Sequence, residues 1–146
     1  MKSIRSRLVA TGLALLCAGS ALVAVAPEAQ AASPCPGTRV GKYQLYAGGE
    51  VADHFRHGHI EVWYSSASGG TNCVLVYDDA PGKHRMTVSL AFAKPGGKAR
   101  TDTGRFYTYA GPVKLTKTNG RCISFYAEVM NGGISYRRAV NKVHCG

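Results

Sequence analysis

Three imidazoles fall close together in the stretch Asp53-His54-Phe55-Arg56-His57-Gly58-His59. Histidines at His54, His57 and His59 have the donor type and spacing to ligate zinc, copper or nickel. Alternate residues of a strand, such as His57 and His59, project to one face. Asp53 or Glu61 could complete such a set or orient a ring. Arg56 in the middle opposes a bound cation, and a solvated loop leading into a strand accounts for the same residues.

Catalysis finds less support. The carboxylates Asp78, Asp79, Asp102 and Glu128 are scattered. Asp78-Asp79 precedes Pro81-Gly82, where aspartate is favoured for turn chemistry alone. No serine has a G-x-S-x-G context. A cysteine nucleophile would need a free thiol. The expectation is a protein that is not an enzyme, and no motif implies a cofactor.

Positive charge is in surplus, with 18 Lys and Arg against 8 Asp and Glu. Arg137, Arg138, Lys114 and Arg121 are candidate anion-binding residues, interleaved with Tyr107, Tyr109, Phe125, Tyr126 and Tyr136. A basic surface attracts polyanions at long range. For an exported protein the nearer polyanion is cell-wall or spore-surface material, and nucleic acid is not the expected partner. Ordinary solubilisation by a mixed surface explains the same charge.

Export is read from the N-terminus. Lys2, Arg5 and Arg7 form a basic head, the apolar run Leu8 to Ala26 follows, and Ala29-Gln30-Ala31 suits signal peptidase. The expectation is a signal peptide over residues 1–31, cleaved after Ala31, and a single β-domain over 32–146. No membrane span would remain after cleavage. The remaining cysteines, Cys35, Cys73, Cys122 and Cys145, are even in number, which in an exported chain reads as two disulfides.

The elements that must position these residues are strands. Met86, Val88, Leu90 and Phe92 alternate with Thr87, Ser89, Ala91 and Ala93, as do Ile123, Phe125, Ala127 and Val129 with Cys122, Ser124, Tyr126 and Glu128. Such period-2 patterns describe half-buried antiparallel strands. The segments 59–65 and 72–77 are apolar on both faces and read as central. Further strands are expected over 42–47, 104–110 and 113–118, with punctuation at Gly48-Gly49, Pro95-Gly96-Gly97, Gly111-Pro112 and Asn119-Gly120. A short turn of helix is conceivable over 50–56. About eight short strands argue for an all-β fold, a small antiparallel sandwich or barrel.

Asn131-Gly132-Gly133 is a hairpin signal between strands at 121–130 and beyond 134. A two-residue turn at Gly132-Gly133 places Cys122 opposite Val143, and a slightly longer loop would bring Cys122 and Cys145 within bonding range. That favours Cys122–Cys145 and leaves Cys35–Cys73. A stapled scaffold could also present a rigid loop, such as Lys94 to Thr103, to a protease as a secreted inhibitor or antagonist.

Tyr64-Ser65-Ser66 followed by Asn72-Cys73-Val74, then Asp102-x-Gly104-x-Phe106-x-x-Tyr109-Ala110-Gly111-Pro112-Val113, then Cys122 and the ending His144-Cys145-Gly146, resemble the spore-associated protein A family of filamentous actinobacteria. The resemblance implies a small exported protein with four cysteines at the spore or aerial-hyphal surface, with no catalytic residues to carry over. Family members commonly carry Trp-Gly shortly after the third cysteine, where this chain has Ile-Ser-Phe-Tyr-Ala-Glu. The histidine cluster is not a hallmark of that family. The reading that follows is a secreted cell-surface or spore-associated structural or binding protein, held to anionic wall material by a basic face.

Overall fold

Alternation in the sequence becomes eight antiparallel strands in the computed structural model, which describes residues 33–48 and 56–145. They are β1 (Thr38–Ala47), β2 (Arg56–Ser65), β3 (Thr71–Tyr77), β4 (His84–Phe92), β5 (Arg100–Phe106), β6 (Tyr109–Thr116), β7 (Ile123–Asn131) and β8 (Ile134–Val143). The signal peptide, residues 50–55 of the helical turn expected over 50–56, and His54 lie outside the described residues. Arg56 opens β2 as a strand residue. No helix among the described residues is long and apolar enough to cross a membrane.

The strands follow the order β5-β4-β7-β8-β1-β2-β3-β6 and curl into a nearly closed barrel. Side chains complete the closure between β5 and β6. Gly111 N donates to Asp102 Oδ2 at 2.8 Å, and the Arg100 guanidinium donates to the Lys114 carbonyl at 3.0 Å. A second weak seam lies between β1 and β8, which pair only at Tyr46↔Arg137 and Ala47↔Tyr136.

One face of every strand in the core supplies it. Leu45, Ile60, Val62, Val74, Val76, Met86, Val88, Leu90, Ile123, Ala127 and Val129 are fully buried and form one cluster with Ala110, Val113, Leu115 and Phe125. Each buried aliphatic side chain of this size is worth roughly 1.5–3 kcal/mol. The core is therefore the main source of stability, and the disulfides supplement it.

A smaller apolar cluster sits on the outside. Cys35, Cys73 and Leu75 are buried there, with Trp63, Tyr77 and Tyr109 packed against them. The Cys35–Cys73 disulfide ties the segment before β1 across the outer face of β3. That cover explains why β3 is apolar on both faces: a barrel has no central strand, and the second face is buried by the N-terminal segment. Gly37 makes the close passage possible. It has φ +87°, and a Cβ there would meet the Tyr64 carbonyl oxygen at 1.9 Å.

The Gly132-Gly133 hairpin has the expected register, with Asn131 opposite Ile134 and Tyr126 opposite Ala139. The step that brings the sulfurs together is not a longer loop. It is a bulge between Phe125 and Ile123, after which Ile123 rather than Cys122 faces Val143, and Lys142 takes φ +52°. Cys122 and Cys145 are bonded as expected.

Several boundaries differ from expectation. The strand expected over 104–110 is split by the β5–β6 turn at Tyr107-Thr108. Gly111-Pro112 does not end a strand but lies inside β6, at the irregularity where β3 skips between Val74 and Val76. The segment Lys94 to Thr103 is likewise only half a loop, because Arg100 to Thr103 belong to β5 and pair with Ser89, Val88 and Thr87 among others.

Candidate functional site

Antiparallel bookkeeping places the start of β2, the end of β3, the start of β4, the end of β7 and the start of β8 at one mouth of the barrel. His57, Asp78, His84, Asn131 and Tyr136 meet there. Asp78 is the hub, its side chain fully buried. His57 Nε2 lies 2.8 Å from Asp78 Oδ1, His84 Nδ1 bonds Asp78 Oδ2, and Ala80 N donates to Oδ1 at 3.0 Å. Asn131 Nδ2 is 3.3 Å from His57 Nε2, and the His57 ring sits 4.9 Å from Tyr136 and 6.5 Å from His84.

His59 takes a different course. Gly58 has φ +81°, and its N–H donates to Asp79 Oδ2 at 3.1 Å. Here β2 bulges against β1, whose register shifts between Gln44 and Tyr46. A bulge of this kind breaks the two-residue repeat, so His57 and His59 do not share a face. His59 Nδ1 lies 3.3 Å from Asp79 Oδ1, and its ring stacks on Tyr77 at 5.0 Å and 13°. Glu61 lies beside it, accepting from Arg39 and, at 3.0 Å, from Trp63 Nε1.

This geometry redirects the metal reading. Among the described residues no group of three or more His, Cys, Asp or Glu is placed to hold an ion. Of the three candidates, His54 is outside the described residues, while His57 and His59 are committed to separate carboxylates. The chemistry available at this mouth is anchoring. Asp78 fixes the ring nitrogens of two imidazoles, and neither ring hydrogen-bonds a hydroxyl or thiol among the described residues.

Burial pushes the Asp78 carboxyl up, but the hydrogen bonds from Ala80 N, His84 and His57, with the charge of His84, outweigh it and leave it below its ordinary value. Burial, with Lys42 nearby, lowers His59 against the opposing pull of Asp79 and Glu61, and burial alone lowers His144. All three folded-state values are depressed, so each group contributes stability above its unfolded value that is lost on acidification. The melting temperature should begin to fall below about pH 6.5 as the histidines charge, and fall again below about pH 4 as Asp78 protonates. A melting temperature flat from pH 7 to pH 3 would refute this.

The four basic candidates are dispersed. Arg137 points outward from β8 and donates Nε to the Gly48 carbonyl at 3.0 Å. Its neighbour Arg138 is half-buried, with its guanidinium 5.3 Å from the Tyr43 ring centroid and 5.7 Å from that of Tyr46. Arg121 lies over Phe92 at 3.6 Å in the connector before β7. Lys114 is exposed on β6, beside β5 at the closing seam. They do not form one face.

A basic patch that only strand pairing assembles lies on β4 and β5. Arg85 and Arg105 are exposed and directly opposite each other. Arg105 donates to the Lys83 carbonyl at 3.0 Å, and Lys83 Nζ stands 5.5 Å above the Tyr107 ring, which is 68% exposed. Below them Thr87–Thr103 and Ser89–Thr101 form a ladder of hydroxyl pairs at 2.8 Å each.

The fold and its sites define the class: an all-β, disulfide-stapled antiparallel barrel, whose two disulfides suit an extracellular or otherwise oxidising environment. Set against family models, characterised proteins and solved structures, the chain matches none of them.

Proposed function

We propose that this is an exported surface-binding protein that adheres to anionic cell-wall or spore-surface polymer through its β4–β5 wall. The observation that carries the reading is the way charge is partitioned. Glu61, Asp78, Asp79, Asp102 and Glu128 are all engaged, by Arg39 and Trp63, by histidines, or by Gly58 N, Gly111 N and Ser135. Arg39–Glu61 is the only ion pair made by a lysine or arginine among the described residues. The acids thus serve the fold, and every lysine and arginine with a described side chain except Arg138 is exposed. Like charges placed opposite each other across strands are destabilising. An anion between Arg85 and Arg105 relieves that cost, and Lys83 and Tyr107 flank it. The resemblance to the spore-associated protein A family supports the same surface location.

Cosedimentation of the oxidised protein with isolated cell walls tests this. Binding should weaken steeply as salt rises, and R85E/R105E should lose about tenfold or more in affinity. R137E, three strands from β5, should change it little. Arg138 is a poor probe, since reversing its charge disturbs the Tyr43 and Tyr46 packing. Binding indifferent to salt, or equal in R85E/R105E, would overturn the proposal.

A further inference from the structure

The mouth remote from His57 holds an open cavity of about 240 Å³, lined by Val40, Tyr64, Asn72, Thr118 and His144. Asn72 and Thr118 are each only 1% exposed. Yet Asn72 Oδ1 and Thr118 Oγ1 are the two buried side-chain atoms without a hydrogen-bond partner among the described residues. Buried polar atoms are nearly always paired, and leaving one unpaired is costly. Both residues line this one cavity, so it is a place where a ligand could supply what the protein omits.

The surrounding frame is braced. Thr118 N donates to the Gly70 carbonyl at 3.1 Å and Asn119 N to the Gly69 carbonyl at 3.1 Å, joining the 117–120 loop to the β2–β3 turn. The Tyr64 hydroxyl donates to Asn119 Oδ1, which fixes its ring. His144 Nε2 pairs with the Tyr43 hydroxyl at 3.1 Å, and the neighbouring Cys122–Cys145 disulfide tethers that wall. Mouths of β-barrels are common ligand sites.

The lining selects the ligand. No Lys, Arg, Asp or Glu contributes to it, so neither an anion nor a cation is favoured, in contrast to the exterior wall. Val40, 43% exposed, and the Tyr64 ring offer an apolar surface, while Asn72 and Thr118 offer hydrogen bonds. The volume lies below the roughly 300–1,000 Å³ of pockets for larger ligands, so one ring fits rather than a chain. A molecule with a hydroxylated edge and an apolar C–H face matches both halves. We infer that this mouth binds a single neutral sugar ring, its hydroxyls on Asn72 Oδ1 and Thr118 Oγ1 and its apolar face against Tyr64 and Val40. The inference is independent of the β4–β5 wall.

Amide and side-chain NMR shifts of the oxidised protein, titrated separately with glucose, N-acetylglucosamine, cellotetraose and p-cresol, test it. Saturating shifts at Asn72, Thr118 and His144 with a sugar are expected, at a Kd on the order of 1 mM for so small a ligand. Equal response to monosaccharide and tetrasaccharide identifies the free sugar as the ligand; a stronger response to the tetrasaccharide identifies the end of a glycan. N72L and T118V should each weaken binding about tenfold, while their urea midpoints stay unchanged or rise, because neither Asn72 Oδ1 nor Thr118 Oγ1 has a protein hydrogen bond to lose among the described residues. Absence of shifts with every sugar, response to p-cresol alone, or undiminished binding in both variants would overturn it. So would a sharply lowered urea midpoint in both, which would mark the two polar groups as structural.

Discussion

The double variant C35A/C73A is expected to lose about 4 kcal/mol of stability, from the entropy of closing so long a loop in the unfolded chain. The bridged residues are 38 apart in sequence, against 23 for Cys122 and Cys145, for which the same reasoning gives about 3 kcal/mol. A packing effect adds to the larger figure. Cys35 and Cys73 are themselves buried, and with Leu75 they form the outer cluster against Trp63, Tyr77 and Tyr109. Without the bond, the segment before β1 is free to leave the face of β3 and expose that cluster. Urea unfolding of both double variants measures the difference. C35A/C73A should have the lower midpoint, and the reverse order would show that the N-terminal clamp is not what holds the outer face. Reduction of both bonds should remove the sum, which is comparable to the whole stability of an ordinary domain of about 5–15 kcal/mol.

D78A should cost about 3 kcal/mol or more, because it removes one acceptor from a buried cluster and leaves several donors unanswered. His57, His84 and Ala80 N all converge on that carboxylate, whose side chain has no exposure. Their loss would separate the starts of β2 and β4 from the end of β3. Thermal denaturation should show a drop of roughly 10 °C or more. D78N, which keeps the shape and one acceptor oxygen, should lose less. A change in D78A of under about 1 kcal/mol would show that Asp78 is not the brace of this mouth.

Much of this barrel is legible along the chain, for a local reason. The alternation from Met86 to Phe92 and from Ile123 to Val129 names the inward face of β4 and β7 without reference to any other strand. The Gly132-Gly133 turn carries the register of the β7–β8 hairpin because few residues intervene. The same arithmetic applies to the β2–β3 hairpin. His59 stands opposite Tyr77, and counting onward places His57 beside Asp78-Asp79, so the histidine partners are a signal that hairpin counting could have found. His84 gives no such signal, since its meeting with His57 depends on both converging on Asp78. The β5–β6 boundary was hidden because Tyr107-Thr108 carries neither glycine nor proline, while the conspicuous Gly111-Pro112 is absorbed within a strand.

Residue order by itself determined the antiparallel strands and their inward faces, because each rests on a period of two or on a short turn. It favoured the Cys122–Cys145 bond, which the bulge before Phe125 then completed. Only the tertiary structure decided which side chains from distant strands converge. Strand order carried Arg85 to Arg105 and dispersed Arg137, Arg138, Lys114 and Arg121, while a bulge at Gly58 separated His57 from His59. A bulge shifts every later side chain by one position, and strand order follows from how the core packs; neither leaves a periodic mark on the chain.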